Sequence, residues 1–131
     1  MSTNRHVVAR LGEVPPGGRK LVTVKGREIA LFNAAGEYFA LLNRCPHEGA
    51  SLCAGRLTGL AEAEKPGDIH FTRQGEVVKC PWHGWEFDLR TGLSVCDPSG
   101  TKVRRYAVSV EHLAAETFNV SVDGDYVLIK T

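Results

Sequence analysis

Two short segments, each with one cysteine and one histidine, constrain the fold of this chain more than any other feature. The first, Cys45-Pro46-His47, has the spacing C-x-H, and the second, Cys80-Pro81-Trp82-His83, has the spacing C-x-x-H. Thiolates and imidazoles bind soft and borderline metals, and the short spacing lets both donors of a segment reach one ion. If the four donors act together, the chain must fold so that two loops separated by residues 48–79 lie side by side.

Each segment also has a proline directly after the cysteine and a glycine shortly after the histidine. Proline fixes the backbone φ angle and stiffens the loop, while Gly49 and Gly84 permit backbone conformations that larger residues resist. These features leave three interpretations open: two unrelated buried Cys–His pairs, a structural zinc site, or an iron–sulfur cluster. Ligand softness and ligand count suit zinc and iron equally well.

The rest of the sequence predicts an all-β fold. Its 14 glycines and 6 prolines divide the chain into short runs, several of which alternate apolar and polar residues as half-buried strands do. The runs predicted as strands are His6–Leu11, Lys20–Lys25, Glu28–Asn33, Glu37–Asn43, Ile69–Arg73, Glu76–Cys80, Glu86–Leu89, Val103–Val110, Phe118–Val122 and Tyr126–Lys130. The dipeptides at hairpin positions are Lys25-Gly26, Ala35-Gly36, Gln74-Gly75 and Asp123-Gly124. Many short strands with regular turns are typical of a small sandwich or barrel.

Two kinds of segment depart from this pattern. Residues Gly55–Asp68 form the least regular stretch and are predicted to be a surface excursion. The helical signal is weak and is limited to one turn at Leu60–Glu64 and another at Glu111–Glu116.

Size and charge exclude several classes of protein. The chain of 131 residues is long enough for one domain only, and its 16 basic and 15 acidic residues give a net charge of +1. Nucleic-acid binders normally carry a basic excess, so we expect no nucleic-acid partner. No apolar run approaches the ~20 residues of a membrane span, and Met1–His6 does not open a signal peptide. We therefore expect a cytoplasmic protein that binds no membrane and keeps its four cysteines reduced.

The two Cys–His segments resemble the cluster-binding loops of the Rieske [2Fe–2S] family. The second loop, Cys80–Trp85 followed by Phe87–Gly92, is the more specific of the two, and Gly36–Ala40 before the first loop is also similar. The resemblance covers most of Val7–Lys130. It implies an antiparallel β sandwich or barrel, a single domain over residues 1–131, with a small inserted cluster-binding subdomain at about 44–97.

By the same resemblance, the cofactor is one [2Fe–2S] cluster. Cys45 and Cys80 would bind one iron, and His47 and His83 would bind the other. The stretch between the loops is longer than in compact members of the family, with a long excursion at residues 55–75. We expect Ile69–Arg73 and Glu76–Cys80 to form an extra hairpin arm there.

Four positions near the loops indicate a low reduction potential. High-potential relatives in quinol-oxidising complexes carry a disulfide across the two loops, and Ala50 and Trp82 occupy those positions here. The same relatives have a serine and a tyrosine in the second loop, where this chain has Trp85 and Phe87. Fewer hydrogen bonds stabilise the reduced, more negative cluster less well. We therefore expect ferredoxin chemistry rather than quinol oxidation.

The resemblance implies a soluble electron carrier that takes electrons from a flavin-dependent reductase and passes them to a terminal oxygenase or a similar redox protein. We expect no catalytic residues and no small-molecule substrate. A complete oxygenase is excluded because it needs a further iron site, and only His112 follows the proposed ligands. Two alternatives remain: a small redox subunit bound tightly to a larger oxidoreductase, and a zinc-stapled interaction module.

The remaining candidate residues are assigned simpler roles. Cys53 and Cys96 are expected to be buried or half-buried thiols without a function. The histidines outside the two loops are expected at the surface: His6, His70 and His112. Trp82 and Trp85 either shield the cluster or belong to a docking face. Pro98 resembles the proline of a third loop that covers the cluster in this family.

Overall fold

The computed structural model describes residues 5–46, 49–65, 68–81, 84–97, 99–115, 120 and 122–131, and for residues 60–65 and 68–74 it describes the backbone only. The strands are β1 Arg5–Arg10, β2 Arg19–Val24, β3 Arg27–Ala34, β4 Glu37–Leu42, β5 Arg56–Lys65, β6 Asp68–Lys79, β7 Glu86–Asp88, β8 Arg105–Leu113 and β9 Gly124–Lys130. One short 3-10 turn, Leu52–Ala54, lies between β4 and β5. No helix in the described residues is long and apolar enough to cross a membrane.

Six strands form an antiparallel sheet in the order β1-β9-β8-β4-β3-β2. Tight turns join β2 to β3 and β3 to β4. Lys25 and Gly26 have φ angles of 51° and 78°, and Ala35 and Gly36 have φ angles of 53° and 98°. Two successive residues with positive φ are what a type I′ hairpin turn requires. The structure confirms both of these predicted turns.

The end strands of this sheet, β1 and β2, are joined by a side chain. The Lys20 ammonium donates a hydrogen bond to the backbone carbonyl of Val8 at 2.8 Å and pairs with the Glu13 carboxylate. The pairing with Lys20 holds the pKa of Glu13 below its ordinary value. The sheet is therefore rolled into a nearly closed barrel, which confirms the predicted all-β fold.

Strand β3 is buried on both faces and separates two hydrophobic cores. Ile29 and Leu31 pack with Ile129 in the first core, inside the barrel. Ala30 and Phe32 point to the opposite face, because successive side chains of a strand alternate. This second core lies on the outer face of the barrel, where the two Cys–His loops meet the large sheet.

A smaller sheet covers that outer face. Its three strands are hydrogen-bonded in the order β5-β6-β7, and in the chain they lie between β4 and β8. Val78 of β6 and Phe87 of β7 are fully buried in the second core, together with Leu89 directly after β7. The small sheet is thus attached to the barrel through apolar side chains.

The prediction that Gly55–Asp68 is irregular, with a helical turn at Leu60–Glu64, is wrong. These residues include strand β5, which pairs antiparallel with β6 from Arg56 opposite Lys79 onwards. Alanine and glutamate are poor strand formers on their own. Here β6 supplies a row of backbone partners, so pairing outweighs the local preference.

The predicted hairpin of Ile69–Arg73 with Glu76–Cys80 is also wrong, because one strand, β6, runs through both segments. Gly75 has a φ angle of 80°, yet it marks a bulge rather than a turn, and the pairing with β5 shifts register between Thr58 and Leu60. A bulge adds a residue to one strand without reversing its direction. Gln74-Gly75 therefore belongs to the strand.

The predicted helical turn at Glu111–Glu116 is wrong for residues 111–113, which continue β8. Their pairing with β9 extends to Leu113 opposite Gly124. The predicted strand Phe118–Val122 falls largely outside the described residues.

Candidate metal centre

Both predicted metal loops begin where a strand has just ended. Loop one, residues 45–50, follows β4, and loop two, residues 80–85, follows β6. The two cysteines that open these loops are buried: Cys45 is 1% exposed and Cys80 is 3% exposed. Both belong to the second core, so the fold brings together two cysteines that are far apart in sequence.

The two loops are closed in the same way. The Cys45 backbone N–H donates to the carbonyl of Ala50 at 2.9 Å, and the Cys80 N–H donates to the carbonyl of Trp85 at 2.6 Å. Gly49 and Gly84 have φ angles of 78° and 70°, in the region that favours glycine. This confirms the prediction that the two glycines adopt backbone conformations that larger residues resist.

The two histidines, His47 and His83, lie outside the described residues, as do Trp82 and Pro98. The four-ligand set therefore stays a prediction. Within the described residues no three Cys, His, Asp or Glu side chains gather into a metal-binding group.

The two described donors, the thiols of Cys45 and Cys80, are available to bind a metal. All four cysteines of the chain are unbridged, so the sulfurs of Cys45 and Cys80 are not used in a disulfide. Thiolate donors suit iron–sulfur clusters and zinc alike. The described pair of cysteines therefore supports a metal centre without selecting the metal.

The surroundings of the two cysteines are apolar. Ala50 is 2% exposed and Phe87 is fully buried, and both pack in the same core as the cysteines. Trp85 is half-buried against this core. Phe87 thus places an aromatic ring without a hydroxyl in the core that holds Cys80, as the sequence predicts for a low-potential site.

Asn43 organises the exit of loop one, a role that the sequence analysis missed. Its side-chain amide donates to the Ser51 hydroxyl at 2.9 Å, and its side-chain oxygen accepts a hydrogen bond from the Cys53 backbone N–H at 2.7 Å. Arg19 of β2 holds the next turn by donating to the carbonyls of Cys53 and Gly55. The Asn43 contacts span eight and ten residues and the Arg19 contacts span 34 and 36, so no motif within either loop marks them.

Arg90 joins the two sheets, and the sequence analysis missed this role as well. Its guanidinium binds both carboxylate oxygens of Glu37, at 2.7 and 3.0 Å, and also pairs with Glu76. It lies over the Phe39 ring, 5.2 Å from the centroid. The hydrogen bonds to Arg90 lower the pKa of Glu37 below 4.5. The only signal for this residue was its place in the Phe87–Gly92 stretch that resembles the Rieske family.

The other two cysteines have different surroundings. Cys53 is half-buried as predicted, and burial raises the pKa of its thiol although Arg19 acts in the opposite direction. Cys96 is exposed, so the prediction of a buried or half-buried thiol is wrong for this residue. It lies on a loop after β7, outside both hydrophobic cores.

Two of the scattered histidines are described, and neither lies at the loops. His112 is exposed and contacts the Asp125 carboxylate at 3.0 Å. His6 is half-buried, rather than fully at the surface, and contacts the Thr131 hydroxyl at 3.1 Å. The side chain of His70 is not among those described.

Comparison with known proteins places these features in a family. A model of the Rieske [2Fe–2S] domain matches residues 4–107. The ferredoxin component of the naphthalene 1,2-dioxygenase/salicylate 5-hydroxylase systems of Ralstonia sp. is 31% identical over 113 residues, which is 86% of this chain and 93% of that protein. The ferredoxin of carbazole 1,9a-dioxygenase from Nocardioides aromaticivorans IC177 is similar in structure, with a TM-score of 0.67, 26% identity and 95% of each chain covered.

A further solved structure shows the same fold in an assembly. It is a complex of reduced oxygenase and oxidized ferredoxin in carbazole 1,9a-dioxygenase, with a TM-score of 0.66 at 21% identity, covering 96% of this chain and 92% of that one. Together the matches confirm the predicted fold class and the predicted Rieske-type ferredoxin, which is an electron-transfer protein. They also imply a [2Fe–2S] cluster as the cofactor. This chain belongs to the Rieske [2Fe–2S] domain family.

Proposed function

We propose that the protein holds one [2Fe–2S] cluster on Cys45, His47, Cys80 and His83, and that it carries single electrons from a flavin-dependent reductase to a terminal oxygenase. One observation carries the proposal: Cys45 and Cys80 open two similarly closed loops and are buried in one core of a Rieske-family chain. We further propose one domain over residues 1–131, with the cluster-binding part at about 44–97.

The choice of partner follows from the relatives. The similar protein from Ralstonia is a ferredoxin component of dioxygenase systems, and a ferredoxin of this fold occurs in a complex with the oxygenase of carbazole 1,9a-dioxygenase. A ferredoxin component needs a donor as well as an acceptor, and a flavin-dependent reductase converts the electron pair of a nicotinamide into single electrons. The unbridged cysteines suit the reducing cytoplasm, where we place the protein.

When bound, the cluster supplies storage for one electron. Two thiolates and two neutral imidazoles leave the oxidised site with no net charge, so the potential is higher than with four thiolates. The described residues exclude water from Cys45 and Cys80 and hold the loops in place. Asn43 fastens the exit of loop one, and Arg90 ties the turn after β7 to the barrel.

Metal analysis tests the proposed cluster against the zinc alternative. We expect two irons and two acid-labile sulfides per chain in anaerobically purified, red-brown protein. A colourless protein with stoichiometric zinc and no sulfide would instead show a zinc-stapled module.

Reconstitution tests the electron-transfer role. With NADH, a flavin-dependent reductase and a Rieske oxygenase, product formation should depend on the added protein and stop when it is omitted. Gel filtration of native cell extract separates a freely diffusing carrier from the alternative of a tightly bound subunit. A carrier elutes at the size of the free chain, whereas a subunit elutes with its larger enzyme.

A further inference from the structure

A groove of about 380 Å³ opens beside loop two. Cys80, Pro81 and Gly84 line one side, and Arg56 and Lys79 line it as well. Arg56 and Lys79 are the two charged residues among the described residues that line the groove, and both are basic. Because Cys80 lines the groove, a partner bound there would be close to it. A short distance matters because electron tunnelling weakens steeply as distance grows.

The side chain of Lys79 lies across loop two. A Cβ atom built on Gly84 would be only 2.9 Å from Cε of Lys79, so the glycine leaves the space that the lysine occupies. Lys79 itself is exposed, as is Arg56 at the start of β5. The fold therefore holds the stem of Lys79 against the loop while its charged end remains open to solvent.

Two further cations flank the cluster loops. Arg44 precedes Cys45, and its Nε would lie 3.4 Å from a Cβ built on Gly49. Lys102 lines a second groove with Pro46 and Trp85. We call Arg44, Arg56, Lys79 and Lys102 the basic rim, and all four are exposed.

None of the four residues of the basic rim forms a salt bridge within the described part of the chain. Glu86 of β7 lies opposite Lys79 in the small sheet without forming a salt bridge with it, and with Asp97 it lines a different groove beside Trp85 and Cys96. Glu48 of loop one lies outside the described residues. Since the net charge of the whole chain is only +1, the basic rim is a local concentration of charge.

We propose that the basic rim is the docking surface for the redox partner, and that it binds an acidic face of that protein. This inference rests on the proposed electron-transfer function. Complementary charges speed the encounter of two proteins and orient them, and a carboxylate in the groove would pair with Arg56 and Lys79. Docking there also brings the partner close to Cys80, which lines the groove.

Two forms of one electron acceptor, which differ in charge, test whether the docking surface is positively charged. Native cytochrome c is rich in lysines, whereas succinylated cytochrome c carries carboxylates in their place, and both accept one electron from the reduced cluster as ferric haem becomes ferrous. At about 0.01 M ionic strength, where the Debye length is about 30 Å, the succinylated form should be reduced roughly tenfold faster. At about 1 M, where the Debye length is about 3 Å, the two rates should converge.

Charge-reversal variants test whether the basic rim causes the difference between the two reduction rates. Lys79→Glu and Arg56→Glu should each lower the ratio of the two rates several-fold and weaken its salt dependence. Arg10→Glu makes the same change of charge at an exposed residue of β1, in a groove with Asp123 and Asp125, and should leave the ratio near that of the wild type. Because a shift in cluster potential alters both rates alike, the ratio reports docking alone.

Two results would overturn the docking surface while leaving the proposed function intact. These are faster reduction of native cytochrome c by the wild-type protein, and an effect of Arg10→Glu as large as that of Lys79→Glu. A purified protein without a [2Fe–2S] spectrum would instead overturn the proposed function, and the inference would fall with it.

Discussion

The four cysteines of this chain occupy three different environments. Cys45 and Cys80 are buried in the same core. Cys53 is half-buried, and burial raises the pKa of its thiol, whereas Cys96 is exposed. Only Cys45 and Cys80 lie in the second core at the start of a predicted metal loop. The local environments therefore separate the two proposed ligands from the other two thiols.

Serine substitution tests this separation. Cys45→Ser and Cys80→Ser should lose the cluster, because a hydroxyl is a poor replacement for a thiolate and metal binding is coupled to folding of the loops. Cys53→Ser and Cys96→Ser are the matched controls and should retain full iron and sulfide. Iron and sulfide content with the visible spectrum checks all four variants. Loss of iron from either control would show that the thiols are wrongly assigned.

Phe87 affects the potential expected for the site. It is fully buried in the core that contains Cys80 and has no hydroxyl to donate. We expect a midpoint near the low end of the Rieske span of about −150 to +300 mV. Phe87→Tyr should raise it by about 40 mV, if a new hydrogen bond to the Cys80 sulfur favours the reduced state by about 1 kcal/mol.

Protein-film voltammetry measures both values. Phe39→Tyr is a suitable control, since Phe39 lies in the same core but packs under Arg90. Its midpoint should remain that of the wild type. A wild-type midpoint above about +150 mV, well inside the span of the family, would show that other groups determine the potential.

One arginine, Arg90, links strands of the two sheets that carry the metal loops. Glu37 begins β4 in the large sheet, Glu76 lies in β6 of the small sheet, and Arg90 follows β7 and binds both. Arg90 therefore restrains the small sheet relative to the barrel. Arg90 and Glu37 are exposed and Glu76 is half-buried, so the contribution to global stability is small.

The Glu37–Arg90 pair predicts a specific dependence of stability on pH. Because Arg90 lowers the pKa of Glu37, the stabilisation is fully present above the ordinary value of 4.5 and is lost as pH falls through the folded-state pKa. Glu37→Gln should therefore lower Tm at pH 7 by no more than about 5 °C, and the difference should close in acid. Thermal unfolding followed by circular dichroism measures it.

A second exposed carboxylate of the large sheet controls for general charge effects. Glu28 is an exposed residue of β3 and forms no salt bridge in the described part of the chain. Glu28→Gln should leave Tm within about 1 °C of the wild type at both pH values, because unpaired surface residues contribute little. A difference for Glu37→Gln that persists in acid would show that the ion pair is not its cause.

The two larger hydrophobic cores of the protein lie back to back, on opposite faces of β3. The first core closes the barrel and contains neither metal loop, whereas the second contains Cys45, Cys80 and the apolar residues of the small sheet. A metal centre bound by these two cysteines would stabilise the second core directly. Loss of the centre should therefore affect the two cores unequally.

Cluster removal tests this inequality. In apo protein made with an iron chelator under reducing conditions, amide protection should fall first in β6 and β7, while Ile29 and Leu31 of β3 remain protected. Hydrogen exchange read by mass spectrometry or NMR measures both regions in one sample. Equal loss of protection in β3 and β6 would show that the two cores unfold as one unit.

Local patterns in the sequence predicted local features well. The turns at Lys25-Gly26 and Ala35-Gly36 follow from two adjacent residues that adopt positive φ, and the structure has both. Predictions failed where pairing with another strand decides the outcome: β5 is a strand because β6 pairs with it, and Gly75 is a bulge because this pairing continues past it. Propensity within a short window carries no information about such partners.

The sequence by itself predicted a metal site built from thiolates and imidazoles, because cysteine and histidine spacing within each loop is a local property of the chain. Only the tertiary structure decided that Cys45 and Cys80 are buried in one core and that Arg90 reaches Glu37. These contacts join residues far apart in sequence and depend on how two sheets pack across β3. The gathering of Arg56 and Lys79 around the groove beside Cys80 has the same origin, since it exists only once β5 and β6 have paired.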